Sequence, residues 1–273
     1  MSKNEELEKY IRSMIPSEEE MKEISKEVYN DELKNKNNFS YWYPRIIETP
    51  LNMAKSIYHK FSFEEREIID IDYDKVDFKQ IREILKPVLS QMDVRKTYSV
   101  KNGTFSGKFN FEDSVATVEN LEEKFYKVNY GAAMVGAGGD TEIVVREFIN
   151  YNNSITPRIY NGLPLRPEFR VFYDMDKKKV LYIVNYWNYD YCRPHIYDRT
   201  DQIVFDGYKD YLGIRYAEYK DKVKELVSKS KFDLTGKWSI DIMLDEIEDK
   251  LYLIDMAEAD KSAYYDSKKC GDE

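Results

Sequence analysis

The chain has 273 residues, 42% of them hydrophobic, which suits one large folded domain or two small ones. Its 51 acidic side chains outnumber 42 basic ones for a formal charge of -9, which argues against a broad nucleic-acid-binding face and leaves room for a local basic cleft. Two cysteines (Cys192, Cys270) and two histidines (His59, His195) exclude a disulfide framework and give no support to a histidine-rich zinc site or a Ser/His/Asp triad.

Residues 1–36 are charged and helical in pattern. Leu7, Ile11, Met14 and Ile15 precede Pro16, and Met21, Ile24 and Val28 follow it at helical spacing, as in an amphipathic lead-in. "NNFSYWYPRIIETP" is aromatic and bounded by Pro44 and Pro50, so a packed loop or short strand is expected. Tyr41, Trp42 and Tyr43 suit core packing better than a stacking platform for bases, given the acidic chain. Residues 51–61 and 77–91 have helix-compatible spacing on either side of the acidic "EEREIIDIDYD".

From about residue 92 strands become common. "DVRKTYSV" leads into a segment with Lys101 and Lys108 flanking Gly103, Ser106 and Gly107, and "KFNF" is expected to return from it as a strand. Asn102-Gly103 alone would serve a hairpin turn. The surplus of small residues and lysines reads either as an exposed hairpin tip or as a flexible cationic loop able to wrap a polyanion. "ENLEEKFYKV" predicts a short helix, whereas "YGAAMVGAGG" is too rich in small residues for a regular element and lacks a dinucleotide fingerprint. No Walker A lysine motif is present.

"TEIVVREFI" predicts a strand ending at Arg146-Glu147, and in "LRPEFRVFYD" Glu168 and Arg170, two apart, face one side of an extended strand. "KKKVLYIVNYW" is a further strand; Cys192 and His195, in the tyrosine-rich stretch after it, fit a structural or exposed role better than a metal site. "GKWSIDIMLDEIEDKLYLIDMAEADKS" predicts two strands joined by an acidic turn at Glu246 to Lys250. Within them Asp241 lies between Ile240 and Ile242, and Asp255 between Ile254 and Met256. Buried carboxylates need a cation or donor partner, for which Mg²⁺ is suited; otherwise they point to solvent.

Taken in order, "VRKTYSVKNGTFSGKFNF", "VVREFI", "PEFRVFYD", "YW", "WSIDIML" and "LYLIDMAEADKS" resemble the ATP-grasp superfamily, and within it proteins related to the eukaryotic cell-division-cycle D123 group. The resemblance implies an α+β fold holding a nucleotide between two α+β subdomains, with residues 1–90 a partly helical region for packing or substrate binding and 91–270 the nucleotide-binding region. It further implies ATP and Mg²⁺ as cofactors. Arg95 or Lys96 would be the first basic position, Lys108 the second and Lys101 an added phosphate contact. Ser106 and Gly107 would permit a lid to close. Arg146, Glu147 and Phe148 would surround adenine, Glu168 would hold the nucleotide, and Arg170 would stabilise a phosphate or acyl phosphate. Asp241 and Asp255 would be the metal ligands. Ala257 stands where related chains carry an Asn ligand, leaving Glu258 as a replacement. The implied reaction activates a carboxylate as an acyl phosphate for attack by an amine or similar nucleophile, on small molecules, peptides or proteins. The alternative is an ATP-binding assembly protein of D123 type without ligase turnover. A cytoplasmic chain without nucleic-acid or membrane partners is expected, since no signal peptide or bilayer-spanning run is present.

Overall fold

A computed structural model describes residues 16–70, 73–137 and 141–271, so Leu7, Ile11, Met14 and Ile15 of the expected lead-in lie outside the described residues. Its remainder forms helix α1 (Glu18–Glu32), opened by a reciprocal cap: Ser17 Oγ accepts from the Glu20 amide at 3.2 Å and Glu20 accepts from the Ser17 amide at 2.7 Å. The apolar stripe Met21, Ile24 and Val28 stays exposed. Phe39–Trp42 and Tyr43–Arg45 are helical turns, followed by strand β1 (Ile46–Glu48). Trp42 is buried in the core and Tyr41 stacks on Trp238, which is the packing role expected of these aromatics.

The segment read as helical at 51–61 is instead strand β2 (Ser56–Lys60). Antiparallel pairing with a neighbouring strand, from Ser56 opposite Arg146 to Lys60 opposite Glu142, overrides its local pattern. Conversely the acidic "EEREIIDIDYD" contains a helix, Phe63–Ile69, because Ser62 and Glu65 cap it reciprocally. Residues 77–91 split into helices Phe78–Ile84 and Lys86–Leu89, with Pro87 in the first turn of the second.

Strands β3 (Tyr98–Asn102) and β4 (Val115–Ala116) follow. The "KFNF" return strand does not form. Lys108–Ser114 is a kinked 3-10 segment entered through Gly107 at φ +60, where a Cβ would lie 2.6 Å from Ser114 Oγ. Helix α2 (Leu121–Met134) runs on through Gly131-Ala132-Ala133, beyond the expected short helix, because Leu121, Phe125, Val128 and Ala132 keep one face buried. Gly138 and Gly139 lie outside the described residues.

The later strands are β5 (Glu142–Glu147), β6 (Arg158–Ile159), β7 (Leu163–Pro164), β8 (Glu168–Asp174), β9 (Lys179–Asn185), β10 (Lys231–Phe232), β11 (Lys237–Asp245) and β12 (Lys250–Glu258). Between β9 and β10 runs helix α3 (Arg199–Lys229), which the sequence reading passed over. Asp198 caps it, and Phe205, Leu212, Val223 and Val227 bury its inner face.

Eight of the strands form two antiparallel four-stranded sheets, ordered β2-β5-β3-β4 and β12-β11-β8-β9, while β1 pairs with β10 and β6 with β7. The class is α+β, with a helix-rich N-terminal region, and the first sheet takes its edge strand β2 from that region. One core contains Ile57, Val100, Phe125, Ile143 and Val145; the other contains Trp42, Phe169, Val171, Trp238, Ile240 and Ile242 with Val223 and Val227 of α3. Because successive strand residues alternate, the core positions Val100, Val145, Phe169, Val171, Ile240 and Ile242 send Lys101, Arg146, Glu168, Arg170 and Asp241 to the opposite faces.

Candidate functional site

Those opposite faces and the turns beside them line one cleft. Its walls include Lys101 of β3, Lys108, Arg146 and Glu147 of β5, Phe148, Arg166, Glu168 of β8, Tyr186, Asp241 of β11 and Asp255 of β12, with Ser106 at its edge. Asp255 reaches the cleft through an irregularity. Asp241 pairs with Asp255, but the next residue, Ile242, pairs with Leu253, so Ile254 is an extra residue in β12. Leu253 and Met256 both remain in the core, and the bulge turns Asp255 toward the cleft opposite Asp241.

The two strand aspartates have cation partners within the chain. Arg170 makes a two-pronged contact with Asp241, Nε to Oδ1 and Nη2 to Oδ2, both at 2.7 Å, and its Nη1 donates to the Ala263 carbonyl at 3.2 Å. Burial opposes the charge on Arg170, but the Asp241 carboxylate outweighs it and raises the pKa above the ordinary arginine value. Lys101 Nζ donates to Asp255 Oδ2 at 2.7 Å.

Tyr186 joins the remaining groups. Lys108 Nζ donates to its hydroxyl at 2.6 Å, and the Arg170 guanidinium lies 4.9 Å from its ring centroid. The Tyr264 hydroxyl fixes the Tyr186 backbone by donating to its carbonyl at 2.7 Å. Lys108 is thus a half-buried, hydrogen-bonded side chain, not the tip of a flexible exposed loop.

Among the described residues Lys108, Arg146 and Arg166 form no ion pair. Arg146 donates from Nη1 to the Ile254 carbonyl and from Nε to Ser56 Oγ at 3.3 Å, and burial depresses its pKa. Arg166 donates from Nη1 to the Ile149 carbonyl at 2.8 Å. An acidic protein thus concentrates cations without carboxylate partners in one cleft, which favours an anionic ligand.

The Glu168 carboxylate lies among them with no hydrogen bond or ion pair among the described residues, while its backbone carbonyl accepts from the Tyr186 amide at 3.1 Å. Burial pushes its carboxyl up to about 7, with nearby Asp241 adding to the rise and Arg166, Lys108 and Arg170 opposing it. A raised folded-state pKa contributes stability below the ordinary 4.5 that is lost as pH rises through about 7. Glu168→Gln is therefore expected to match the parent in urea unfolding below pH 4.5 and to exceed it by roughly 2 kcal/mol near pH 8. A stability difference independent of pH would contradict this burial effect.

Several residues expected in the site lie elsewhere. Arg95 is exposed and folds back on Asp93, its Nη2 2.9 Å from Oδ2. Lys96 reaches the cleft margin only through Glu147, at 2.8 Å. Gly107 shapes the turn before Lys108 and does not line the cleft. Glu258 pairs with Lys36 at 3.3 Å, and its amide donates to Asn37 at 2.6 Å, away from the two aspartates. Sequence reading missed Arg166 and Tyr186 as cleft residues. Arg166 stands two residues before Glu168, a spacing that carries it toward the same face as Glu168 and Arg170.

Asp241 and Asp255, opposed across β11 and β12, would be the residues to hold a Mg²⁺ ion, which would have to replace their present partners Arg170 and Lys101. An all-protein metal cage is a different matter: among the described residues no group of three or more His, Cys, Asp or Glu is placed to hold a metal. No helix among the described residues is long and apolar enough to cross a membrane.

No protein-family model matches the sequence, and no curated protein matches it. Among solved structures the chain is distantly similar to Cdc123 from Schizosaccharomyces pombe, at 15% identity over 85% of each chain with a TM-score of 0.48. A C-terminally truncated Cdc123 from the same organism aligns at 13% identity over 85% of this chain and 86% of that one, with a TM-score of 0.48. A D-alanine–D-alanine ligase from Bacillus anthracis complexed with ATP aligns at 12% identity over 86% of this chain and 52% of that chain, with a TM-score of 0.27.

Proposed function

We propose that the chain binds ATP in the cleft between its two sheets and acts as an ATP-binding assembly or interaction protein of D123 type, without ligase turnover. The observation that carries nucleotide binding is the pair Lys108 and Arg146, cations without carboxylate partners on the walls of one cleft in a chain of net charge -9. A triphosphate satisfies both. Phe148 follows Arg146 and Glu147 at the end of β5 and offers an aromatic surface to the base. Mg²⁺ entering on the phosphates would neutralise and orient them.

In this reading Arg170 and Lys101, which now hold Asp241 and Asp255, would turn to the phosphates, and the two carboxylates would hold the metal, which would supply charge neutralisation there. Asp255→Asn is expected to weaken Mg²⁺-ATP binding by about tenfold, and metal-free ATP binding by much less, in calorimetric titrations. An equal loss in both would remove Asp255 from metal binding.

A carboxylate–amine ligase is the second reading, favoured by one observation: Lys108 and Arg170 converge on Tyr186, where they could stabilise a phosphoryl group in transfer. In that reaction a substrate carboxylate oxygen takes the γ-phosphoryl group, ADP leaves, and an amine displaces phosphate from the acyl phosphate. The deciding experiment resolves the products of Mg²⁺-ATP incubated with fractionated cell extract, with hydroxylamine present to trap acyl phosphate as hydroxamate. Bound protein partners with no ADP, phosphate or hydroxamate above background support the assembly reading. Substrate-dependent ADP and phosphate with a condensation product would replace it by the ligase reading. Failure to bind ATP at all would overturn both.

A further inference from the structure

Arg166 borders two cavities. One is the cleft, and the other, of about 440 Å³, lies between the chain after β5 and helix α3. Arg166 is 8% exposed, its Nε has no hydrogen-bond partner, and no carboxylate stands within ion-pair distance among the described residues. Holding a buried guanidinium without an anion is costly, and burial accordingly depresses its pKa.

The far wall of this second cavity holds a carboxylate, Glu246, beside Arg215. Tyr208 and Tyr211 of α3 stack with ring centroids 4.7 Å apart, and the Tyr211 hydroxyl donates to Glu246 Oε1. Arg215 Nε donates to the same oxygen at 3.1 Å. Glu246 Oε2 has no protein partner among the described residues. Arg166 and Glu246 are near enough for their charges to interact, yet they form no ion pair. Arg166 is a guanidinium without an anion, Glu246 keeps one oxygen without a partner among the described residues, and both line one cavity.

We propose that this cavity binds a free amino acid, with its carboxylate on the Arg166 guanidinium and its ammonium on Glu246 Oε2. A ligand carrying one charge would satisfy one wall and leave the other as it is. A dipolar ligand satisfies both. A phosphate would suit Arg166 but leave Glu246 Oε2 without a partner. The inference stands apart from the nucleotide reading, because Lys108 and Arg146 do not line the second cavity.

The test is thermal unfolding of the full chain with each of the twenty standard amino acids at about 10 mM, beside acetate plus methylamine as unlinked halves of the ligand. At least one amino acid is expected to raise Tm by about 2 °C or more, while the unlinked pair does not. Glu246→Gln keeps an oxygen for Tyr211 and Arg215 and should retain the fold and ATP binding while abolishing the amino-acid shift. Arg166→Gln should abolish it as well. If Arg166→Gln fails to fold, Glu246→Gln decides alone. No shift with any amino acid, or a shift that survives Glu246→Gln, would overturn the proposal.

Discussion

Asp241→Asn is expected to lower the unfolding free energy by about 3 kcal/mol, the largest loss from any single change at the cleft. The Arg170 and Asp241 side chains are only 11% and 12% exposed, and they meet through two hydrogen bonds of 2.7 Å. Removing the carboxylate charge leaves a buried guanidinium over the Tyr186 ring without its two-pronged partner, and only the weaker pull of Asp255 remains. Breaking such a pair costs more than the pair itself contributes, because the remaining charge stays desolvated. Urea unfolding of the single variant and of the double variant Arg170→Met, Asp241→Leu separates the two effects. The double variant, with neither charge, should recover most of the stability while losing nucleotide binding. A single variant within about 0.5 kcal/mol of the parent would show that the pair is solvated in the folded chain.

Lys108→Met is expected to weaken ATP binding by about 10- to 100-fold, the size of one charge-assisted hydrogen bond to phosphate. The sequence alone predicts no cost to the fold, since the lysine reads as a surface-loop cation. The structure predicts a cost of about 1 kcal/mol, because the Tyr186 hydroxyl loses the Lys108 ammonium 2.6 Å away and Tyr186 is held in place by Tyr264. Calorimetric titration with Mg²⁺-ATP and a melt of the same sample report both quantities. Unchanged affinity would take Lys108 out of the nucleotide site, whereas unchanged stability would make the Tyr186 contact dispensable.

Some of the site follows from the residues themselves. Ile240 and Ile242 on either side of Asp241 are enough to turn that carboxylate away from the core, since strand side chains alternate, and the same period puts Glu168 and Arg170 on one face. Helix starts are equally local: the cap that Ser62 and Glu65 exchange is written in four consecutive residues, although the acidic run around it draws attention away. Helix α3 was legible at its start, from Asp198, but its buried residues are spread among many tyrosines and charges, which dilutes the periodic signal.

Other features needed the assembled sheets. Ser56–Lys60 is a strand because β5 offers it an edge, a partner almost ninety residues away that no local window contains. Asp255 faces the cleft only because Ile254 bulges; simple alternation from Leu253 would have buried its carboxylate in the core. The cation beside each aspartate was also settled in three dimensions. Asp241 meets Arg170 from 71 positions away, and Asp255 meets Lys101 from 154 away across the gap between the sheets. Side-chain chemistry and strand period determined which groups carry charge and which way most of them turn. Sheet pairing and the approach of the two sheets decided which charges meet, because an ion pair depends on a few ångströms of distance that local sequence does not encode.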